Sequence, residues 1–239
     1  MMQSLHLISL LLQYPSLELQ AVAGEIRQWL TGDPALPQAA VGACEPLLTR
    51  LATTDIYDCQ EAYVDLFDRG RAHSLHLFEH VHGESRDRGQ AMVDLRARYL
   101  DAGLEPEGNE LPDYLPLFLD YCSTLPEARA RDTLAEPGVV LIALAARLAD
   151  KGSDYAPVFA LLCEIAGLEM DEAAAKALPP AEDPETLKEL DAQWEEEEIR
   201  FTADAAPDPN AACPQVSAIL DRMRAPLPAA EPATSAKRS

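Results

Sequence analysis

Apolar residues recur at intervals of three and four positions along the first two thirds of the chain, without sustained alternation of apolar and polar residues. This spacing places apolar side chains on one face of an α-helix, and the β-branched residues that favour strands are few. The pattern therefore predicts an all-α fold with a single compact helical bundle. Its first helix is expected to end before Pro15 and to bury Leu5, Ile8, Leu11 and Leu12.

Three more helices are predicted ahead of Gly70, which can stop the last of them. The first is expected over residues 17–30, and its inward face is expected to comprise Leu19, Val22, Ile26 and Trp29. The second is expected over residues 38–52, with an inward face of Leu47, Leu48 and Leu51. The third is expected over residues 54–67, with Thr54 as its N-terminal cap.

Capping residues and a proline define the helices that follow. Ser85 is expected to cap a helix that ends near Gly103 and that buries Met92, Leu95 and Tyr99. Asp113 is expected to cap the next helix. This start places Pro116 in the first turn, where a proline loses no helical hydrogen bond.

The last part of the pattern divides the chain into two. Helices are expected over residues 126–149, broken near Pro137, and over residues 154–166. Beyond them alanine, proline, glutamate and aspartate dominate the composition. We therefore expect an all-helical domain at residues 1–168 and an acidic tail at residues 169–239 with a disordered end. Short helices within the tail are expected at residues 184–200 and 215–224.

The charge of the chain restricts its partners. There are 19 Lys and Arg residues against 41 Asp and Glu residues, which gives a formal net charge of -22. Nucleic acid and anionic membrane surfaces both require clustered basic residues, so neither is an expected partner. An acidic protein suits a cationic partner, although the charge also has a simple role in solubility.

Localisation is predicted from the cysteines and from the first apolar run. The five cysteines are widely spaced and contain no C-x-x-C pair, which is typical of a reduced, cytoplasmic protein. A secretory signal requires a Lys or Arg before its apolar run, and none precedes the apolar run of residues 5–12. We therefore predict a buried first helix and not a signal peptide. No apolar run approaches the roughly 20 residues of a membrane span, so direct membrane insertion is not expected.

A cluster of histidines suggests two interpretations. His76 and His80 are four residues apart and share one helical face, with Glu79 and His82 beside them. One interpretation is a metal-binding protein or a metal-dependent enzyme. However, the H-E-x-x-H arrangement is missing, and Leu75, Leu77, Phe78 and Val81 favour a partly buried helix whose histidines form hydrogen bonds. Without a nucleophile motif or a phosphate-binding loop, we assign no catalytic residue and no metal ligand, and we do not expect an enzyme.

Aromatic and charged residues also suggest a peptide groove. Asp113 is either the helix cap described above or a carboxylate at a groove rim that pairs with a cationic side chain. The aromatic residues near it either line the apolar part of such a groove or pack in the core; they are Tyr63, Phe67, Tyr114 and Phe118. The candidate polar network around them comprises Asp68, Arg69, His76, His80, His82, Arg86, Asp87 and Arg88.

Two long segments and one short motif resemble a known family. The segment from Tyr63-Val-Asp-Leu-Phe-Asp-Arg-Gly-Arg to Met-Val-Asp-Leu95 resembles the NarJ family of nitrate reductase assembly chaperones. The segment Glu110-Leu-Pro-Asp-Tyr-Leu-Pro-Leu-Phe-Leu-Asp-Tyr resembles the second signature of that family, and Leu-Leu-Gln-Tyr-Pro at residues 11–15 also fits. The resemblance covers roughly residues 4–165. It implies membership of a wider all-helical family that includes the TorD and DmsD types.

This resemblance implies a cytoplasmic chaperone with an all-helical fold. Such a chaperone binds the N-terminal peptide of the apo catalytic subunit of respiratory nitrate reductase. It keeps that subunit competent for insertion of the molybdenum cofactor and for membrane assembly, and holds no cofactor stably itself. The peptide site of the wider family is associated with an acidic E-x-x-D motif, which Glu110 and Asp113 match, with Tyr114 beside them. The implied peptide-binding residues are Tyr63, Phe67, Glu110, Asp113, Tyr114 and Phe118.

Overall fold

α-Helices dominate the part of the chain that a computed structural model describes, namely residues 2–82, 86–105 and 110–170 with residues 175, 176 and 178. These residues contain no β-strand, which confirms the all-α prediction. In chain order the helices are α1 (Met2–Leu11), α2 (Leu17–Gly32), α3 (Gln38–Ala43), α4 (Glu45–Thr53), α5 (Ile56–Phe67), a short 3-10 helix (Arg71–His73), α6 (Glu79–His82), α7 (Arg86–Asp101), α8 (Leu115–Thr124), α9 (Glu127–Ala135), α10 (Gly138–Asp150) and α11 (Ala156–Ala166).

Helices α10 and α11 pack against each other and form the centre of the core. Both bury residues on most of their circumference, as expected for helices that are apolar almost all round. Phe159 is fully buried at this centre. Gly167 ends α11 in the left-handed region with φ 70°, a conformation that glycine adopts without a steric penalty. The predicted helices over residues 126–149 and 154–166, and the break near Pro137, are confirmed.

Around this centre, α3 and α9 contact α11, and two further pairs of helices pack closely. α1 lies against α8, and α2 lies against α4. The inward face predicted for α2 is partly wrong, because Val22 and Trp29 are 37% and 57% exposed, whereas Ala23 and Leu30 are buried. The predicted and the observed buried residues of α2 both have helical spacing. The prediction favoured large side chains, whereas the small side chain of Ala23 allows close packing of the helix.

Two predicted helix boundaries are also corrected. Residues 38–52 form two helices, because a continuous helix would place the ring of Pro46 against a carbonyl of the preceding turn. The break at Cys44 puts Pro46 in the first turn of α4. The N-cap of α5 is Asp55, whose carboxylate accepts the N–H of Tyr57 at 2.9 Å. Thr54 instead follows the last residue of α4.

The end of the described chain returns to the core. Leu168, Ala175 and Leu178 pack against core residues, and the Leu168 side chain lies so close to Gly138 that a Cβ there would approach it to 2.9 Å. The tail helices predicted at residues 184–200 and 215–224 lie outside the described residues. In the described chain, no helix combines the length and apolar character that a bilayer span requires.

Candidate functional site

The two segments that stood out in the sequence lie side by side. The Leu77 N–H donates to the Asp113 carbonyl at 2.9 Å, and the Leu115 N–H donates to the Leu75 carbonyl at 2.8 Å. An isolated antiparallel bridge joins the same two stretches. Residues that are almost forty positions apart in sequence therefore form one short extended pair, and α8 begins directly after it.

The side chain of Asp113 fixes this pair from inside the protein. Its residue is 0% exposed. Oδ1 lies 3.2 Å from Nδ1 of His76, and Oδ2 accepts the backbone N–H of Phe78 at 3.2 Å. The Arg88 guanidinium lies 3.6 Å from Oδ2 and donates to Glu79 at 3.2 Å. A buried carboxylate needs such donors, because burial without them is costly. We call this arrangement the Asp113 clamp.

Both sequence interpretations of Asp113 are corrected by this geometry. Tyr114 occupies the N-cap position of α8 and no side chain caps this helix, so Asp113 is not the cap. Full burial also removes the carboxylate from any rim. The prediction that Pro116 lies in the first turn of the helix is confirmed, since Pro116 is near the start of α8. The Asp113 side chain instead points into the protein, toward hydrogen-bond donors that are distant in the sequence.

Next to the clamp lies a cavity of about 260 Å³ with aromatic and acidic walls. We call it the tyrosine hollow. Its lining residues are Tyr14, Tyr63, Phe67, Asp68, Ser74, Leu75, His76, Glu110 and Tyr114. Four of the six predicted peptide-binding residues therefore share one cavity, and the clamp residue His76 contributes to the same wall.

Aromatic packing sets the shape of the tyrosine hollow. The Tyr63 hydroxyl donates to the Leu12 carbonyl at 2.9 Å and lies 3.3 Å from the Tyr114 hydroxyl. The Tyr63 ring contacts Tyr14 edge-on, with centroids 5.6 Å apart, and packs on Phe67 at 4.9 Å. Burial raises the pKa of both Tyr63 and Tyr114, so these phenols stay neutral at pH 7. Their ring faces and hydroxyls form a fixed polar–aromatic floor.

Two exposed carboxylates, those of Asp68 and Glu110, line the tyrosine hollow and give it a negative charge. Burial raises the pKa of Asp68, and the positive charge of protonated His76 acts in the opposite direction. Carboxylates beside aromatic faces attract a cationic group by Coulomb and cation–π interactions together. The hollow is therefore suited to a lysine or arginine side chain, or to an amino terminus.

Phe118 lies apart from this cavity. It is 3% exposed and contributes to a second, mainly apolar hollow of about 340 Å³ between α6, α7 and the start of α10. Leu77, Phe78 and Val81 belong to the same surface. The segment of residues 75–78 thus has the tyrosine hollow on one side and the apolar hollow on the other.

The predicted polar network is only partly assembled. Arg88 joins the clamp, whereas Arg69 pairs with Asp65 at 2.9 Å on an exposed surface. His80 donates from Nε2 to the Ser74 carbonyl at 2.8 Å. The side chains of His82, Arg86 and Asp87 lie outside the described part of the chain. Within the described residues, no group of three or more His, Cys, Asp or Glu side chains is arranged to hold a metal ion.

Sequence reasoning missed several contributors to this site. Tyr14 lines the hollow and is 49% exposed, yet it was noted only as part of the motif at residues 11–15. Pro15 follows Tyr14 in the sequence, and the Pro15 carbonyl accepts a hydrogen bond from the Gln60 side-chain amide at 2.8 Å. The pair Tyr14-Pro15 within that motif was the sequence feature that could have indicated this part of the site. Glu79 was considered only as a neighbour of the histidines, and its ion pair with Arg88 was not predicted, because the two residues are nine positions apart and only the fold brings them together.

The two described histidine side chains of the cluster are expected to titrate in opposite directions. The hydrogen bond to Asp113 raises the pKa of His76 above 6.5, whereas burial lowers the pKa of His80 below it. The contribution of His76 to stability is therefore present below pH 6.5 and is lost as pH rises through its raised pKa. The contribution of His80 is present above pH 6.5 and is lost as pH falls through its lowered pKa.

NMR titration of the ring carbons, assigned with single His→Gln variants, measures both pKa values. Asp113→Asn is the control, because an amide removes the charged acceptor and should lower the pKa of His76 more than that of His80. Equal midpoints for the two rings in the unmodified chain would contradict the assigned hydrogen bonds.

Comparisons with known proteins agree with the resemblance seen in the sequence. The family model described as nitrate reductase delta subunit matches residues 33–161. The nitrate reductase molybdenum cofactor assembly chaperone NarJ of Escherichia coli strain K12 is 45% identical over 205 residues, which are 85% of this chain and 86% of that protein. The probable assembly chaperone NarW of the same strain is 40% identical over 210 residues, 86% of each chain. The probable assembly chaperone NarJ of Bacillus subtilis strain 168 is 31% identical over 158 residues, 65% of this chain and 83% of that protein.

These similarities first define the class of protein: the chain is an assembly chaperone and not an enzyme. The chain belongs to the nitrate reductase delta subunit family, and within it to the NarJ-type molybdenum cofactor assembly chaperones. The alternative of a metal-dependent enzyme built on the histidine cluster has no support among these relatives.

Proposed function

We propose that this protein binds the N-terminal peptide of the apo catalytic subunit of respiratory nitrate reductase. In the cytoplasm, it keeps that subunit competent for molybdenum cofactor insertion and for membrane assembly, and it holds no cofactor stably itself. The relatives support the chaperone role through their names. The peptide-binding step rests on the geometry of the described residues.

One observation carries the proposal: the tyrosine hollow combines two carboxylates with three tyrosine side chains in one open cavity. A cationic side chain of the client peptide enters this hollow and pairs with Asp68 and Glu110. The faces of Tyr14 and Tyr114 cover its aliphatic part. Pairing at exposed carboxylates adds a modest interaction energy, which suits a chaperone that must release its client.

The other candidate residues support this hollow in different ways. Tyr63 and Phe67 are 4% and 3% exposed and form its floor. Asp113 acts through His76 and the extended segment without reaching the peptide. Phe118 faces the apolar hollow, which adjoins the same segment and offers a surface for apolar residues of the client peptide. Each apolar side chain buried there contributes about 1.5–3 kcal/mol before ordering costs.

A peptide titration tests the proposal directly. A synthetic peptide of about four helical turns, taken from the N-terminus of the catalytic subunit, is titrated into the full chain by calorimetry. We expect saturable binding that weakens as salt rises, because ion pairs at exposed carboxylates are screened. Heat that stays at the level of peptide dilution, across pH 6 to 8 and at low salt, would rule the proposal out.

The matched control is the same peptide with every lysine and arginine replaced by glutamine. Because the tyrosine hollow is expected to recognise a cation, this peptide should bind about tenfold more weakly and lose the salt dependence. Equal affinity of the two peptides would show that the contact is apolar only and does not use the hollow.

A further inference from the structure

The wall of the tyrosine hollow formed by residues 72–78 is held in place by individual hydrogen bonds. Much of this stretch lacks helical hydrogen bonds, so its carbonyls need partners from elsewhere. The Ser74 carbonyl accepts from the His80 ring at 2.8 Å, and the Leu75 carbonyl accepts from the Leu115 N–H at 2.8 Å. We call this stretch the 72–78 wall.

Arg147 supplies the bond at the start of this wall. From the last turn of α10, its Nη1 donates to the Ala72 carbonyl at 2.9 Å. Its Nη2 donates to the carbonyl of Leu178 at 3.0 Å. One guanidinium therefore joins the wall of the hollow to a residue that lies twelve positions beyond the last residue of α11.

We propose that Arg147 is a positioning residue for the tyrosine hollow and that it couples Leu178, which lies beyond α11, to the 72–78 wall. This inference deepens the proposed function and rests on it for the effect on peptide binding. A change that detaches Leu178 leaves the guanidinium with one of these two acceptors, so its orientation toward Ala72 is less restricted. The wall segment that carries Ser74 and His76 then becomes more mobile.

The chemistry of arginine suits this role. Its planar guanidinium carries several N–H donors in a fixed fork and can hold two carbonyls at once. A lysine ammonium is a point donor on a flexible stem and does not hold two acceptors in the same rigid geometry. Arg147→Lys is therefore expected to keep the positive charge but to lose much of the coupling.

Hydrogen exchange of the free protein tests the coupling without any peptide. In Arg147→Met, the amides of Leu77 and Leu115 should exchange about tenfold faster than in the unmodified chain, because they bond across the wall. Arg27→Met is the matched control, since Arg27 likewise bridges two groups, Glu45 and Thr49, away from the hollow. Unchanged exchange at both wall amides in Arg147→Met would overturn the inference.

Peptide binding tests the consequence. The dissociation constant for the client peptide should rise about five- to tenfold in Arg147→Met and in Arg147→Lys, but not in Arg27→Met. Leu178→Ser removes the side chain that packs on the core and holds the Leu178 carbonyl in place, without adding a charge beside Arg147, so it should weaken binding as well. Met170→Ser, at a residue that is 53% exposed, is its control. The double variant Arg147→Met/Leu178→Ser should bind the peptide no more weakly than the weaker-binding of the two single variants, because both changes disturb one linkage.

The outcomes separate this inference from the proposed function. Fully additive losses in the double variant would show two independent structural effects and would overturn the coupling. Peptide binding equal to that of the unmodified chain in Arg147→Met would overturn the positioning role. Failure of the unmodified chain to bind the peptide refutes the proposed function and with it the effect on binding, whereas the exchange result still decides whether Arg147 holds the wall.

Discussion

Replacing Asp113 with alanine is expected to lower the free energy of unfolding by about 3–5 kcal/mol, because it removes one partner of a buried charge network. The variant leaves the Phe78 N–H without its carboxylate acceptor and the His76 ring without its charged partner. It also leaves Arg88, whose side chain is 18% exposed, with Glu79 as its remaining acceptor in the clamp.

Urea unfolding followed by far-UV circular dichroism measures this loss. Asp154→Ala is the matched control, because Asp154 pairs with Arg50 at 3.3 Å on a partly exposed surface. Removing such a pair costs about 1 kcal/mol or less. If Asp113→Ala and Asp154→Ala lose the same stability, the clamp contributes no more than a surface ion pair and its central role is wrong.

The same variant links stability to function. At urea concentrations where Asp113→Ala is still folded, the hydrogen-bonded stretches of residues 75–78 and 113–115 lack their side-chain support. The tyrosine hollow takes Leu75, His76 and Tyr114 from these stretches. Binding of the client peptide should therefore weaken in the folded variant, although Asp113 itself is buried and does not touch the peptide.

Most of the fold could be predicted because helical periodicity is a local property. The positions of α1, α7, α9 and α11 follow from apolar spacing and from Pro and Gly residues at the helix ends. The errors concern choices between equivalent local patterns. In α2, two apolar faces with helical spacing compete, and tertiary contacts with α1, α3 and α4 select the face that contains Ala23.

The site was harder to predict because its central residue satisfies a local rule as well. Asp113 stands before a proline-containing helix and has the chemistry of a cap, so the sequence alone favours that role. Its actual partners, His76 and Arg88, are 37 and 25 positions away, and only the tertiary structure brings them within reach. The resemblance to a family indicated the correct segments, but it did not distinguish a buried support from an exposed contact.

Reversing the charge of the tyrosine hollow is expected to have the largest effect on function. In the double variant Asp68→Lys/Glu110→Lys, a cationic side chain of the client meets two like charges where it now meets two carboxylates. Like-charge contacts at an interface cost several kcal/mol, so the dissociation constant for the peptide should rise by about 100-fold or more. Calorimetric titration at low salt, where screening is weakest, measures this change.

The fold should tolerate this reversal, which makes the result informative. Both side chains are exposed, and a lysine at residue 68 interacts favourably with the C-terminus of α5, so stability should change by about 0.5 kcal/mol or less. Asp58→Lys/Glu61→Lys is the matched control, because it changes net charge equally at exposed positions of α5 outside the hollow. If the two double variants weaken peptide binding equally, the client senses only the overall negative charge of the protein, and the tyrosine hollow is not its site.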